Sequence, residues 1–341
     1  MSNADDSHTQ ALEPCLILPA SSDQNDVCEY GTCHIPRLFT EAGARARFRF
    51  VEFFTAHIRN ANTRAAYHRA VCRFADWCAS KCLEVASLNS VWIAAYIEEL
   101  QARLPEPSVK QSLAAIRMLF DWFVTGHVIP FNPASSVRGP RYSLRRGKTP
   151  VLDAEQVRHL LDSIDVGKLI GVRDRALIAI MIFTFARVSA VAAMRVEDYF
   201  QQGKRWSVRL HEKNGKLVEM RVHHKLEAYL DEYLDAAGIR GDRRGPLFRR
   251  AAKNDHGRLT AAAMTRQLMW AMVKRRARVA GLPPEICCHT FRGSGITTYL
   301  RNGGTLEKAQ FMASHASSRT TSLYDRRLDE ITLDDVERIA I

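Results

Sequence analysis

The sequence contains no apolar run approaching the ~20 residues that cross a bilayer, and its mean hydropathy is −0.21. An integral membrane protein is thereby excluded. Cysteine is sparse, eight irregularly spaced in 341 residues, which rules out a disulfide scaffold and points to reduced thiols. Cys28, Cys33 and His34 fit no common zinc spacing and have no evident fourth ligand, so no metal is expected. Cys72, Cys78 and Cys82 share one helical pattern and read as buried thiols. No carboxylate cluster suggests Mg²⁺, and no cofactor is expected. Residues 1–36 have no Lys or Arg against six acids, and Asp5 and Asp6 stand where a secretory leader carries positive charge. The expectation is a cytoplasmic protein with a flexible acidic extension over 1–47.

What is present is base. Forty-nine Lys and Arg against 37 Asp and Glu give a net charge of +12, and beyond residue 36 the balance rises to +18. That is the footprint of a partner rich in phosphates. The apolar fraction of 46% and charged fraction of 25% are ordinary for a globular chain, and the length favours two domains.

From about 48 to 136 the periodicity predicts a small helical bundle. Tyr67, Val71, Phe74 and Cys78 form one stripe behind a Thr63 cap. Ser90 leads a second stripe of Val91, Ile93, Tyr96, Ile97 and Leu100, and Ser108 a third with Leu113, Ile116, Leu119, Phe120 and Phe123. The polar faces carry Arg64, His68, Lys110 and Arg117. Residues 137–150 then hold Arg138, Arg141, Arg145, Arg146 and Lys148 with no acid, and predict an extended basic linker suited to a phosphate backbone.

Residues 151–341 predict a second domain. Asp153 and Gln156 make a capping box, Arg173 to Arg187 an apolar helix, and Asn214-Gly215 the turn of a hairpin between 206–210 and 218–222. Helical patterns resume over 226–237 and 260–280, and Thr332 with Asp335 caps a last helix. The fold class is mainly α with a small antiparallel sheet.

Several residues invite chemistry, though each has a commonplace explanation by itself. Arg187 at the end of an apolar helix is most simply half of an ion pair. His289 and Arg292 share a face if helical, a spacing common by chance. His315 and Tyr324 taken singly are packing residues.

Their order and spacing change the weighing. Arg187, Lys213, His289-x-x-Arg292, His315 and a tyrosine nine positions on, Tyr324, together resemble the signature of the tyrosine recombinases. Asn62-Thr63-Arg64-Ala-Ala-Tyr67 and Asn132-Pro133-Ala134 resemble that family's first domain. The resemblance covers roughly 48–335 and implies a helical, SAM-like core-binding domain over 48–136 and a catalytic domain over 151–341. It implies a site-specific recombinase that cuts and rejoins double-stranded DNA through a 3′-phosphotyrosine, integrating or excising a mobile element. It also implies a dimer on each site, a tetramer in synapsis, and a terminal helix that docks on a neighbouring protomer.

The implied roles suit the residue types. Arg187 and Arg292 are the natural clamp on the nonbridging oxygens of a phosphodiester under attack. Tyr324 is the nucleophile and His289 its candidate base. His315 adds a hydrogen bond to the phosphate, and the resemblance assigns the leaving-group proton to the hairpin lysine. Lys213 and Lys216 both flank the turn, and Lys213 fits the family better. Arg64, Lys110, Arg117, Arg141, Arg145 and Arg146 are the expected DNA contacts.

Three departures stand out. The family's usual acid three positions after the first arginine is Ala190 here, leaving Glu197 or Asp198 as substitutes. Ser314 occupies the place of a glycine, and Phe185-Ala186 that of a common Thr-Gly. Two alternatives accompany the recombinase reading. A type IB topoisomerase shares the constellation but differs in its N-terminal domain. A degenerate DNA-binding protein fits poorly with a full set of competent residue types.

Overall fold

In the computed structural model, residues 34–141, 147, 149–212, 215–253 and 257–325 are described. Contacts divide the chain into two units, 1–143 and 144–341. No helix among the described residues is long and apolar enough to cross a membrane.

In the first unit the described residues form helices and no strand. Packing begins before the expected residue 48, with α1 (Arg37–Glu41) and α2 (Ala44–Glu52). The reason is aromatic: the buried Phe39 ring meets Phe50 at 5.0 Å and the edge of Phe123 at 5.6 Å. A π-helical turn over Phe53–His57 extends α2. Then come α3 (Ala61–Ser80), α4 (Ser90–Arg103) and α5 (Glu106–Thr125).

The starts of these helices shift from expectation. Asn60, not Thr63, caps α3 by accepting from the Asn62 and Thr63 amides at 3.0 and 3.1 Å. Asn89 does the same for α4, and Pro105 precedes α5 where Ser108 was the expected lead. The three apolar stripes are buried apart from half-buried Tyr67 and the exposed Val91. Of the three thiols only Cys78 is buried, and burial pushes it up to about 12. Asn132 ties the following loop to α5, donating to Asp121 Oδ1 at 2.6 Å and the Arg117 carbonyl at 3.0 Å while accepting from the Ala134 amide at 2.8 Å.

The second unit opens with α6 (Ala154–Asp162), whose capping box forms as read: Gln156 N donates to Asp153 Oδ1 at 2.8 Å and Asp153 N to Gln156 Oε1 at 3.1 Å. Next is α7 (Leu169–Phe183), whose C-terminal half is apolar on every side and therefore buried; Ala176 to Met181 have no exposure. The short α8 (Val188–Ala193) follows. Strands β1 (Tyr199–Gln202), β2 (Arg205–His211) and β3 (Leu217–Arg221) form an antiparallel sheet in that order, with Leu210 opposite Val218. Gly215 sits at φ +72° in the β2–β3 turn.

After α9 (His224–Ala237), β4 (Arg249–Ala251) and β5 (Leu259–Ala263) make a second small sheet. This corrects the helix expected from 260: Ala263 pairs with Arg249 in a ladder that overrides alanine's helix propensity. Helix α10 (Arg266–Val279) starts only at the Thr265 cap. It is bound to α7 through the unexposed Asp174, which accepts from Arg173 Nη2 at 2.7 Å and Arg276 Nε at 2.9 Å. Helices α11 (Cys288–Arg301), α12 (Leu306–Met312) and α13 (Ser318–Ser322) complete the unit, with α11 and α9 packed on α7. The acidic stretch 1–33, Arg145, Arg146, Lys213, Asn214 and the helix expected from 332 lie outside the described residues.

Candidate active site

The chain gathers five of the sequence-predicted residues at one place, using the ends of four elements. Helix α7 stops at Phe183, Thr184 closes it by donating to the Ile180 carbonyl at 2.6 Å, and Phe185 turns the chain with φ +56°. A bulky residue at positive φ is strained. The turn sets Arg187 at the N-cap of α8, four residues past the end of α7. His289 and Arg292 lie one turn apart on α11, and that helix approaches α7 closely because residue 295 is glycine. A Cβ at Gly295 would come within 2.1 Å of the Ile182 carbonyl.

His315 follows a Schellman turn. At the end of α12, Ser314 takes φ +49°, its amide donates to the Phe311 carbonyl at 2.9 Å, and His315 N donates to the Gln310 carbonyl at 3.1 Å. The glycine missing from this position is thus a helix C-cap glycine. Relief of left-handed strain (about 1–2 kcal/mol) outweighs the entropy that a glycine adds to the unfolded chain, so Ser314→Gly should stabilise the fold by about 0.5–1 kcal/mol. A denaturant midpoint that falls would contradict this.

Tyr324 comes just after α13. Its carbonyl accepts from Thr297 Oγ1 of α11 at 2.9 Å, which anchors the tyrosine to the helix bearing His289 and Arg292. Its ring packs on Gly293 and lies parallel to His315 at 6.1 Å between centroids. Its hydroxyl reaches His289 Nε2 at 2.6 Å.

Arg292 is only 1% exposed and does structural work with two nitrogens: Nη1 donates to the Phe185 carbonyl and Nη2 to the Ala313 carbonyl. It therefore holds both left-handed turns, the one before Arg187 and the one before His315. Its Nε is buried without a partner among the described residues. A buried, charged donor left unpaired is costly unless an acceptor arrives, and an anion is the acceptor that fits.

Electrostatics agree. Burial and the charge of Arg187 push Arg292 down to about 10, which leaves it protonated at neutral pH. Burial with the charges of Arg292, Arg187 and His289 pushes His315 down to about 3, so it is a neutral ring. His315 Nδ1 lies 2.9 Å from Thr321 Oγ1; accepting that hydroxyl leaves the ring proton on Nε2 as a donor. His289 is exposed as a residue but its ring tip is desolvated against Tyr324, and that together with Arg292 and Arg187 holds it below 6.5. Burial raises the Tyr324 phenol while the two arginines pull it down.

The first arginine has a partner that the sequence did not suggest. Arg187 Nη1 donates to Glu212 Oε2, and its backbone N–H to Glu212 Oε1 at 3.3 Å. Neither expected substitute does this: Glu197 lies 3.7 Å from Arg195, and Asp198 accepts from the Arg195 amide at 2.8 Å. A carboxylate 25 positions along the chain carries no spacing signal.

The expected DNA contacts of the first unit divide by environment. Arg64 donates to the Ile58 carbonyl at 2.9 and 3.1 Å, and Arg117 to the Ala134 carbonyl at 3.0 Å. Lys110 and Arg141 are exposed.

Comparison with known proteins follows the same division. The profile of the Phage integrase family matches residues 150–330, and that of the phage integrase N-terminal SAM-like domain matches 50–126. Tyrosine recombinase XerC of Chlamydia muridarum is 29% identical over 230 residues, covering 67% of this chain and 69% of that protein. Tyrosine recombinase XerD of Listeria monocytogenes is 28% identical over 232 residues, covering 67% and 74%. Among solved structures, XerH site-specific recombinase on palindromic difH substrate after cleavage superposes with a TM-score of 0.66 at 20% identity, covering 88% of this chain and 86% of that one. A lambda integrase dimer on a COC′ core site gives 0.63 at 16% identity, covering 84% and 78%.

Proposed function

The chain belongs to the phage integrase family, the tyrosine recombinases that cleave and rejoin DNA, and from that premise we propose the roles of its own residues in strand cleavage. Arg292 Nε and the remaining N–H groups of Arg187 grip the nonbridging oxygens of one phosphodiester. His315 adds a neutral donor from Nε2. Tyr324 Oη attacks phosphorus, its proton passes to His289 Nε2, and the 5′-oxygen leaves. The departing oxygen takes a proton from Lys213, the role that the family resemblance assigns to it. The product is a 3′-phosphotyrosine, and its reversal on a second 5′-hydroxyl rejoins strands without an external energy source.

One observation carries the reading: a phenol hydrogen-bonded to a neutral-leaning imidazole, 2.6 Å away, beside a buried guanidinium whose Nε has no partner among the described residues. Double-stranded DNA is the substrate. Lys110, Arg141, Arg145 and Arg146 are assigned to its phosphates by their charge, as are Arg64 and Arg117, which also brace the Ile58 and Ala134 carbonyls. The working assembly is a dimer on each site and a tetramer in synapsis, acting on a mobile element in the cytoplasm.

The test is covalent capture. The protein is incubated with nicked duplexes randomised across the footprint, denatured, and digested, and the DNA-bearing peptide is identified by mass spectrometry. The expected peptide holds Tyr324 joined to a 3′-phosphate; a complete lack of adduct, or a different attachment residue, refutes the assignment. The captured strands report the site. Recombination of a plasmid pair carrying it separates this reading from simple supercoil relaxation by a topoisomerase.

The same assay yields a pH dependence. His289 works as a base only when neutral, and its surroundings hold its titration below 6.5. The half-maximal point of single-turnover adduct formation on acidification should therefore lie lower than for an ordinary imidazole. A half-maximal rate at or above pH 7 speaks against His289 as the base.

A further inference from the structure

We propose that Glu212 is a positioning residue for cleavage, supplying at the first arginine the carboxylate that position 190 lacks and joining that arginine to the lysine hairpin. The proposal rests on the reading above that Arg187 grips the phosphate.

The carboxylate holds residue 187 at two points. One oxygen takes the backbone N–H at 3.3 Å and the other takes Nη1, so main chain and guanidinium are fixed together. Glu212 is itself held, with its side chain 2% exposed against 29% for that of Arg187. With Nη1 engaged, Nη2 and Nε remain to meet an oxygen pair. An arginine has many rotamers, and a misplacement of about 1 Å in a clamp can cost 10²-fold in rate.

Ala190 offers only a buried methyl to this neighbourhood. Glu212 therefore reaches from a different element, the end of β2, toward the same guanidinium. Its amide donates to the Lys216 carbonyl at 2.7 Å, closing the hairpin immediately before Lys213. The residue that aims the phosphate clamp is thus covalently next to the residue proposed to protonate the leaving oxygen. Its charge also opposes the mutual repulsion of Arg187 and Arg292.

Glu212→Gln keeps the shape of the side chain and removes the charge, which makes it the informative variant. On the randomised nicked duplexes, the full-length variant should form adduct about 100-fold more slowly than wild type, consistent with a displaced clamp. Its unfolding temperature should stay close to wild type, and its affinity for the same duplexes should stay within about twofold, since most affinity comes from phosphate contacts elsewhere. In an Arg187→Lys background, where Nη1 no longer exists, the same change should add less than about threefold, because two residues that act through one contact are not additive. A wild-type rate in Glu212→Gln overturns the proposal. So does an undiminished effect in the lysine background, or a loss of rate matched by loss of folding or binding, for then the ion pair only holds the fold. A wild-type chain that forms no adduct counts instead against the catalytic reading beneath it.

Discussion

Tyr324→Phe should abolish the covalent adduct altogether while leaving DNA affinity within about twofold, because affinity is carried by many phosphate contacts and not by one phenol. The substitution removes a single oxygen. The ring that packs on Gly293 and parallels His315 remains, as does the Tyr324 carbonyl that Thr297 holds at 2.9 Å. What is lost is the 2.6 Å hydrogen bond to His289, a net contribution of about 0.5–1.5 kcal/mol, too little to unfold a domain. Among the described residues, Thr321 is fully buried with its hydroxyl on His315 and is not placed to take over the proposed attack. The measurement pairs a denaturing gel for adduct with a binding titration on the captured sequence. Residual adduct in the phenylalanine variant would move the chemistry to another residue, and lost binding would make Tyr324 a structural group.

Arg292→Ala should damage both stability and cleavage, for two separable reasons. The buried guanidinium satisfies the Phe185 and Ala313 carbonyls, and both become orphans when it goes. With about 1–3 kcal/mol for each orphan and a cavity besides, stability should fall by about 3–5 kcal/mol. Cleavage should fall by at least about 10³-fold in whatever fraction remains folded, since a preorganised donor to the developing charge is gone. Arg292→Lys separates the two effects. It keeps a positive charge but has no fork to span two turns and an anion, so the adduct rate should still drop by about 10²-fold or more while the denaturant midpoint moves less. A lysine variant that cleaves like wild type would show that charge alone suffices and that the forked geometry is idle.

How much of this was legible in the sequence differs by element. The capping box of Asp153 and Gln156, the buried α7 and the β2–β3 hairpin were readable because each rests on local pattern. The short α1 was not: five residues give no full period, and only the rings of Phe50 and Phe123 decide its burial. The β4–β5 ladder was misread as helix because three alanines from 261 favour a helix until a strand pairs with them. In the site, Arg187, His289, Arg292, His315 and Tyr324 stood out together only through their resemblance to the tyrosine recombinase signature. The partner of Arg187 was not, because a β-hairpin brought Glu212 there from 25 positions away. Ser314 was visible only as a departure, and its Schellman geometry explains why a glycine would suit the place.

The Tyr324 phenol and the His289 imidazole, proposed here as nucleophile and base, meet within a single polypeptide, with the main chain at the phenol fastened by Thr297 to the helix of that imidazole. On the proposed chemistry the phenol and its base need not be drawn from two different copies of the chain. A copy lacking the Tyr324 hydroxyl and a copy lacking the His289 ring should then fail to rescue one another when mixed.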